Sequence, residues 1–111
     1  MNELEINIDK ILSIGEKYNF EYLDEYVDEK KDSLELKLEY VGDDMEYKEE
    51  DDFENIIEWR EFVDEQGEVV RNHFGEMMEE MKKKGVEYID YEYDDYDYPC
   101  VYLYFHLGMI C

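Results

Sequence analysis

The sequence predicts an α+β domain in which about three helices pack on an antiparallel sheet of three to five strands. Three observations carry this reading. Leu34, Leu36, Leu38 and Tyr40 alternate with Glu35, Lys37 and Glu39, and Val101, Leu103, Phe105 and Leu107 alternate with Tyr102, Tyr104 and His106. That period of two is the mark of a half-buried strand. Elsewhere apolar residues recur at three- and four-residue spacing, the period of a helix face. A chain of 111 residues is one domain, residues 1–111, with room for a single modest core.

Taken in order, Leu4, Ile8, Ile11, Leu12, Gly15 and Tyr18 place a first helix at roughly Glu3 to Tyr18. Asn2 or Asn7 is a candidate cap, and Gly15 either weakens the helix or permits a close approach to the sheet. In Phe20 to Val27, the alternation of Phe20, Tyr22, Asp24 and Tyr26 favours a strand over the helical spacing of Leu23 and Val27. Lys30-Lys31-Asp32-Ser33 supplies a turn before the strand Leu34 to Tyr40, and Met45-Glu46-Tyr47 is an optional further short strand. Phe53, Ile56, Ile57 and Val63 predict a second helix, with Asp51 and Asp52 suited to its positive amino terminus. After Gln66-Gly67, the residues Val70, His73, Phe74, Met77, Met78 and Met81 predict a third. Lys82-Lys83-Lys84 suits its carboxyl end and Gly85 its C′ position. A final hairpin runs from Val86 to Leu107 with an acidic, tyrosine-rich tip. The predicted order is helix, strand, strand, optional strand, helix, helix, strand, strand.

Composition narrows the classes of function. There are 34 acidic residues against 11 basic ones, for a net charge of −23, while 44% of residues are hydrophobic. Periodic apolar segments distinguish this chain from a disordered acidic tail. Long-range repulsion opposes direct binding to nucleic acid or to an anionic membrane, so the expected partner is a basic protein. With no secretory apolar region, cleavage-site pattern or bilayer-length apolar run, the expected location is the cytosol. Cys100 and Cys111 make neither a disulfide framework nor a zinc pattern, and packing is the first reading for Cys100.

Candidate chemistry is sparse. Serine occurs only at 13 and 33, threonine is absent, and His73 and His106 lie in separate elements, so the usual nucleophilic constellations lack parts. His73 is expected at the border of a helix's apolar face and His106 on the solvent face of the last strand. The acidic turns fail the EF-hand pattern of glycine and glutamate, and neither a Walker loop nor Gly-x-Gly-x-x-Gly occurs, so no metal or cofactor is expected. Met77, Met78, Met81 and Trp59 read first as core.

The charge itself is clustered. Asp43 to Glu54 holds eight carboxylates and one lysine, and no Lys or Arg follows Lys84. A solvated surface is the simplest reading of excess acid, and clustering beside recurring tyrosines weakens it. Alternate strand residues lie about 6.6 to 6.8 Å apart on one face, so carboxylates can stand in rows, as phosphates do along a duplex. Interleaved tyrosines add rigid contact area. The expected contacts with a partner's Lys and Arg are Asp43, Asp44, Glu46, Glu49 and Glu50, with Asp90, Glu92, Asp94, Asp95 and Asp97 from the hairpin. Tyr93, Tyr96 and Tyr98 are expected to pack between them.

In its size, its acidity and the clusters Asp43-Asp44-Met45-Glu46 and Asp94-Asp95-Tyr96-Asp97, the chain resembles the small acidic DNA-mimic inhibitors that phages and mobile elements use against restriction and CRISPR enzymes. The resemblance implies noncatalytic, competitive occupation of the nucleic-acid site of an effector nuclease. Those inhibitors have unrelated folds, so it implies nothing about topology. Two other readings compete: an immunity protein or antitoxin that neutralises one basic nuclease toxin, and a small enzyme built on a carboxylate pair.

Overall fold

The computed structural model describes residues 3–30, 32–43, 46, 48–96 and 100–108. Helix α1 (Glu3–Lys17) leads into strands β1 (Phe20–Asp28) and β2 (Ser33–Tyr40), and helix α2 (Ile56–Lys83) into strands β3 (Asp90–Asp94) and β4 (Tyr102–Gly108). The four strands form one antiparallel sheet in the order β1-β2-β4-β3. The α+β class and the antiparallel sheet agree with the sequence; the helix count and order do not.

Two α-helices are present among the described residues, because the two helices expected on either side of Gly67 are one continuous helix. Gly67 does not break it. A Cβ there would lie 2.8 Å from Arg71 Nη1, the far end of a flexible guanidinium side chain. That group folds back along α2, with Nη2 donating to the Asp64 carbonyl at 3.3 Å. The start also differs from expectation. Asp51 and Asp52 belong to a separate 3-10 turn (Glu50–Asp52), in which Glu49 N–H donates to Asp52 Oδ2 at 2.9 Å. Asn55 caps α2 instead, its Oδ1 accepting from Glu58 N–H at 2.9 Å. The optional strand at Met45 and Tyr47 falls outside the described residues.

Other local expectations have direct counterparts. Gly85 follows the Lys84 cap with φ of 71°. Its N–H bonds Lys82 O at 3.3 Å and the Val86 N–H bonds Met81 O at 3.0 Å, the paired bonds of a Schellman ending. Gly15 sits where a Cβ would meet Phe20 O at 3.2 Å and Leu38 Cδ1 at 3.4 Å, so α1 approaches the sheet closely there. Asn7 lies inside α1 and serves as a link. Its amide exchanges two hydrogen bonds with the backbone of Glu87, one of them Glu87 N–H to Oδ1 at 2.9 Å. Lys17 Nζ (2.7 Å) and the Tyr18 hydroxyl (3.0 Å) both donate to Glu80 Oε1, joining α1 to α2. The hydrogen bond and charge of Lys17 hold the Glu80 carboxyl below its ordinary pKa.

Both helices lie on one side of the sheet. Ile11 and Ile14 of α1 and Val70, Met77 and Met81 of α2 share the core with Phe20, Leu34, Leu36, Leu38, Tyr40, Val101, Leu103, Phe105 and Leu107. Met77 and Met81 are core, as expected, and Met78 is partly buried against it. Trp59 is not part of that core: it is half-buried in a satellite cluster with Phe53 (5.8 Å) and Phe62 (6.4 Å). This cluster clothes the amino-terminal part of α2, none of whose residues before Gly67 is buried. A helix of 28 residues is about 42 Å long, which accounts for the elongated 55 × 30 × 17 Å outline.

Gly75 lies on the exposed side of α2 with nothing within 4 Å of a Cβ built on it. Gly75→Ala is therefore expected to raise stability by about 0.5 to 1 kcal/mol through helix propensity alone. A urea midpoint that moves down would contradict the open position.

Candidate functional site

Strand parity decides which side chains leave the core. On β2 and β4 the inward residues are the buried Leu34, Leu36, Leu38, Leu103, Phe105 and Leu107, so Glu35, Lys37, Glu39, Tyr102, Tyr104 and His106 point to the face opposite the helices. On β3, Tyr91 and Tyr93 pair with Phe105 and Leu103, and Asp90, Glu92 and Asp94 pair with His106, Tyr104 and Tyr102. On β1 the alternation expected from Phe20 to Tyr26 is interrupted. The register shifts between Tyr22, opposite Leu38, and Asp24, opposite Lys37. Leu23 is the extra residue of a bulge, and it moves Asp24 and Tyr26 to the face that Phe20 and Tyr22 do not share.

The result is a grid of three rungs across four strands. One rung is Asp94, Tyr102, Glu39 and Glu21; the next is Glu92, Tyr104, Lys37 and Asp24; the third is Asp90, His106, Glu35 and Tyr26. Every member is partly or fully exposed. Lys37 is the one lysine of the grid, and its Nζ lies 4.3 Å from the Tyr102 ring centroid and 5.4 Å from that of Tyr104. Such contacts are worth about 0.5 to 1 kcal/mol at exposed sites, so Lys37 holds the two rings together at the centre of the acid. His106 Nε2 is 3.7 Å from Asp90 Oδ1.

The residues expected from sequence fall in three places. Asp90, Glu92 and Asp94 stand in a row on the open face. Asp95 and the exposed Tyr96 form the turn beyond, where Asp94 Oδ1 accepts from Tyr96 N–H at 3.0 Å and Asp95 Oδ2 lies 3.4 Å from Arg71 Nη1. Asp43, Glu46, Glu49 and Glu50 are exposed on the β2–α2 connection, where Glu46 N–H donates to Gln66 Oε1 at 2.6 Å. Asp44, Asp97 and Tyr98 lie outside the described residues. Tyr93 departs from its expected place between the contact carboxylates: it turns to the helix side and packs on Phe74 at 4.8 Å.

The two acidic clusters leave the same end of the sheet. Glu39 and Asp94 both lie opposite Tyr102, and Tyr40 N–H donates to Val101 O at 2.9 Å. The connection after β2 and the turn after β3 therefore start at the same end of the sheet, with β4 between them. They meet α2 at Gln66 and Arg71, five residues or about 7.5 Å of helix rise apart. Sequence reasoning missed Glu21, Asp24, Glu35 and Glu39 and the central tyrosines as parts of one surface, although the alternation that reveals the outward half of β2 and β4 was legible.

The Tyr93 hydroxyl is buried without a hydrogen-bond partner among the described residues. Burial, reinforced by the Asp95 carboxylate, pushes the phenol up to about 12. Since an unpaired buried polar group costs about 1 to 3 kcal/mol, Tyr93→Phe is expected to leave stability equal or raise it by about 1 kcal/mol. A clear loss in urea denaturation would mean that the hydroxyl is bonded.

His73 packs against Tyr40 at 5.9 Å between ring centroids on the helix side, and His106 lies on the opposite face, so the fold does not assemble a histidine pair. Among the described residues no group of three or more His, Cys, Asp or Glu is arranged to hold a metal ion, and no helix is long and apolar enough to cross a membrane. Comparison with protein-family models, curated proteins and solved structures finds no match.

Proposed function

We propose that this protein is a noncatalytic inhibitor that occupies the nucleic-acid-binding surface of a CRISPR or restriction-type effector, presenting carboxylates where phosphates bind. The observation that carries the proposal is the charge density of the open grid. Its seven carboxylates and one lysine occupy three rungs, spanning about 13 Å along the strands. That is roughly one net negative charge per 2 Å, against roughly one per 1.7 Å of duplex axis. The central tyrosines supply rigid, low-entropy contact area between the rows, and the two clusters at the end of the sheet extend the same sign of charge.

Capture by tagged protein from bacterial lysate supplemented with purified CRISPR and restriction effectors tests this. The expected result is recovery of such an enzyme, abolished by high salt and by excess nucleic acid. Recovery of a single toxin that resists nucleic-acid competition would instead establish an immunity protein.

A further inference from the structure

We infer that β1 is a docking strand for an extended basic segment of a partner protein, which joins the sheet as a fifth strand alongside Asp24–Asp28. The inference does not depend on whether the partner handles nucleic acid.

Backbone, side-chain exposure and charge each contribute. β1 ends the strand order and pairs only with β2, so its far edge carries backbone donors and acceptors with no ladder partner in the sheet. Among the strands it is also the longest, at nine residues. The Leu23 bulge divides it, and from Asp24 to Asp28 the register with β2 runs without a break, leaving five residues of regular edge.

The helix layer covers β1 only at Phe20, which is fully buried, and leaves the rest of this edge half open. Leu34 and Leu38 of β2 are 4% and 0% exposed, whereas their neighbours on β1, Val27 and Tyr22, are 44% and 50% exposed. Leu23 and Tyr26 are 42% and 64% exposed, so apolar surface is available on both sides of the strand. The opposite edge differs: β3 has five residues, and its helix-side Tyr91 and Tyr93 lie against Phe74.

Charge selects the occupant. β1 carries Glu21, Asp24, Glu25 and Asp28 and no Lys or Arg. Pairing two β1 edges from two copies would bring carboxylates together with no Lys or Arg to answer them, and like charges facing each other across strands are destabilising. Acid and a bulge also protect an edge against promiscuous pairing. A segment alternating Lys or Arg with aliphatic residues meets both requirements: backbone bonds to the edge give affinity, cations answer Asp24, Glu25 and Asp28, and aliphatic side chains cover Val27 or Tyr26. This is strand addition as used in peptide recognition.

The test titrates the full isotope-labelled chain with a capped peptide of alternating Lys and Val. Controls are the same peptide N-methylated at every backbone amide, which keeps its charge and loses its donors, and an alternating Glu and Val peptide. The expected result is slowed hydrogen exchange at alternate amides of Asp24–Asp28, at least tenfold weaker binding of the methylated peptide, and no binding of the acidic one. Asp24→Lys with Tyr26→Lys, both at exposed positions, should weaken the unmethylated peptide at least tenfold. Equal binding of the two basic peptides, with shifts spread over the open grid, would overturn the inference in favour of charge alone. Absence of peptide binding, or concentration-dependent protection of β1 without peptide, would overturn it as well.

Discussion

Replacing Glu35, Glu39 and Glu92 together by lysine is expected to leave the domain folded and to weaken capture of its target by about a thousandfold, roughly tenfold or 1.4 kcal/mol for each reversal. These three carboxylates stand on the open face on two strands, opposite His106, Tyr102 and Tyr104. On the proposed function, each reversal would remove an attraction to a basic groove and add a repulsion. They are preferable to Asp94 and Asp95, which also hold the Tyr96 backbone and Arg71. Folding should survive because each reversal changes the charge by two, from −23 to −17 in all, which relieves self-repulsion. A matched reversal of Glu58, Glu61 and Glu65 on α2 separates position from net charge, and should cost far less. Binding titration and circular dichroism of both variants decide the matter; equal affinity in the first would remove the grid from the interface.

Phe105→Ala is expected to bring the largest loss of stability, about 3 to 5 kcal/mol. Phe105 is fully buried on a central strand, with the rings of Tyr88 at 5.4 Å and Tyr91 at 6.4 Å. Domains of this size have about 5 to 15 kcal/mol in total, so the variant should be largely unfolded in mild urea. The adjacent Tyr104→Ala, on the open face, should cost about 1 kcal/mol or less. Similar losses at 104 and 105 would contradict the strand parity on which the grid depends.

The parity itself was legible. Leu34 to Tyr40 and Val101 to Leu107 repeat strictly at two because each strand has one buried and one open face. Gly85 marked a helix end correctly, since its positive φ is a local requirement. Gly67 misled because a glycine inside a helix costs only about 1 kcal/mol, which the packing of α2 on the sheet outweighs and local pattern does not show. The Leu23 bulge was equally hidden, because a bulge is a property of pairing with β2 and reverses the faces of every residue after it. The acidic hairpin was recognised as a candidate contact, while its continuation onto β2 and β1 was not, since β4 is inserted between β2 and β3 by contacts distant in sequence. Tyr93 was misplaced for the same reason. Its neighbours in sequence are carboxylates, and its neighbour in space is Phe74.

The most direct measurement is an NMR titration of labelled protein with the captured effector, following the rings of Tyr102, Tyr104 and His106. If carboxylates on the open face replace phosphates, these signals should shift on binding and return to their free positions when duplex DNA or guide-bound target is added in excess. Unmoved ring signals on the open face, with changes confined to Ile56, Ile57 and Trp59 on α2, would contradict the proposal.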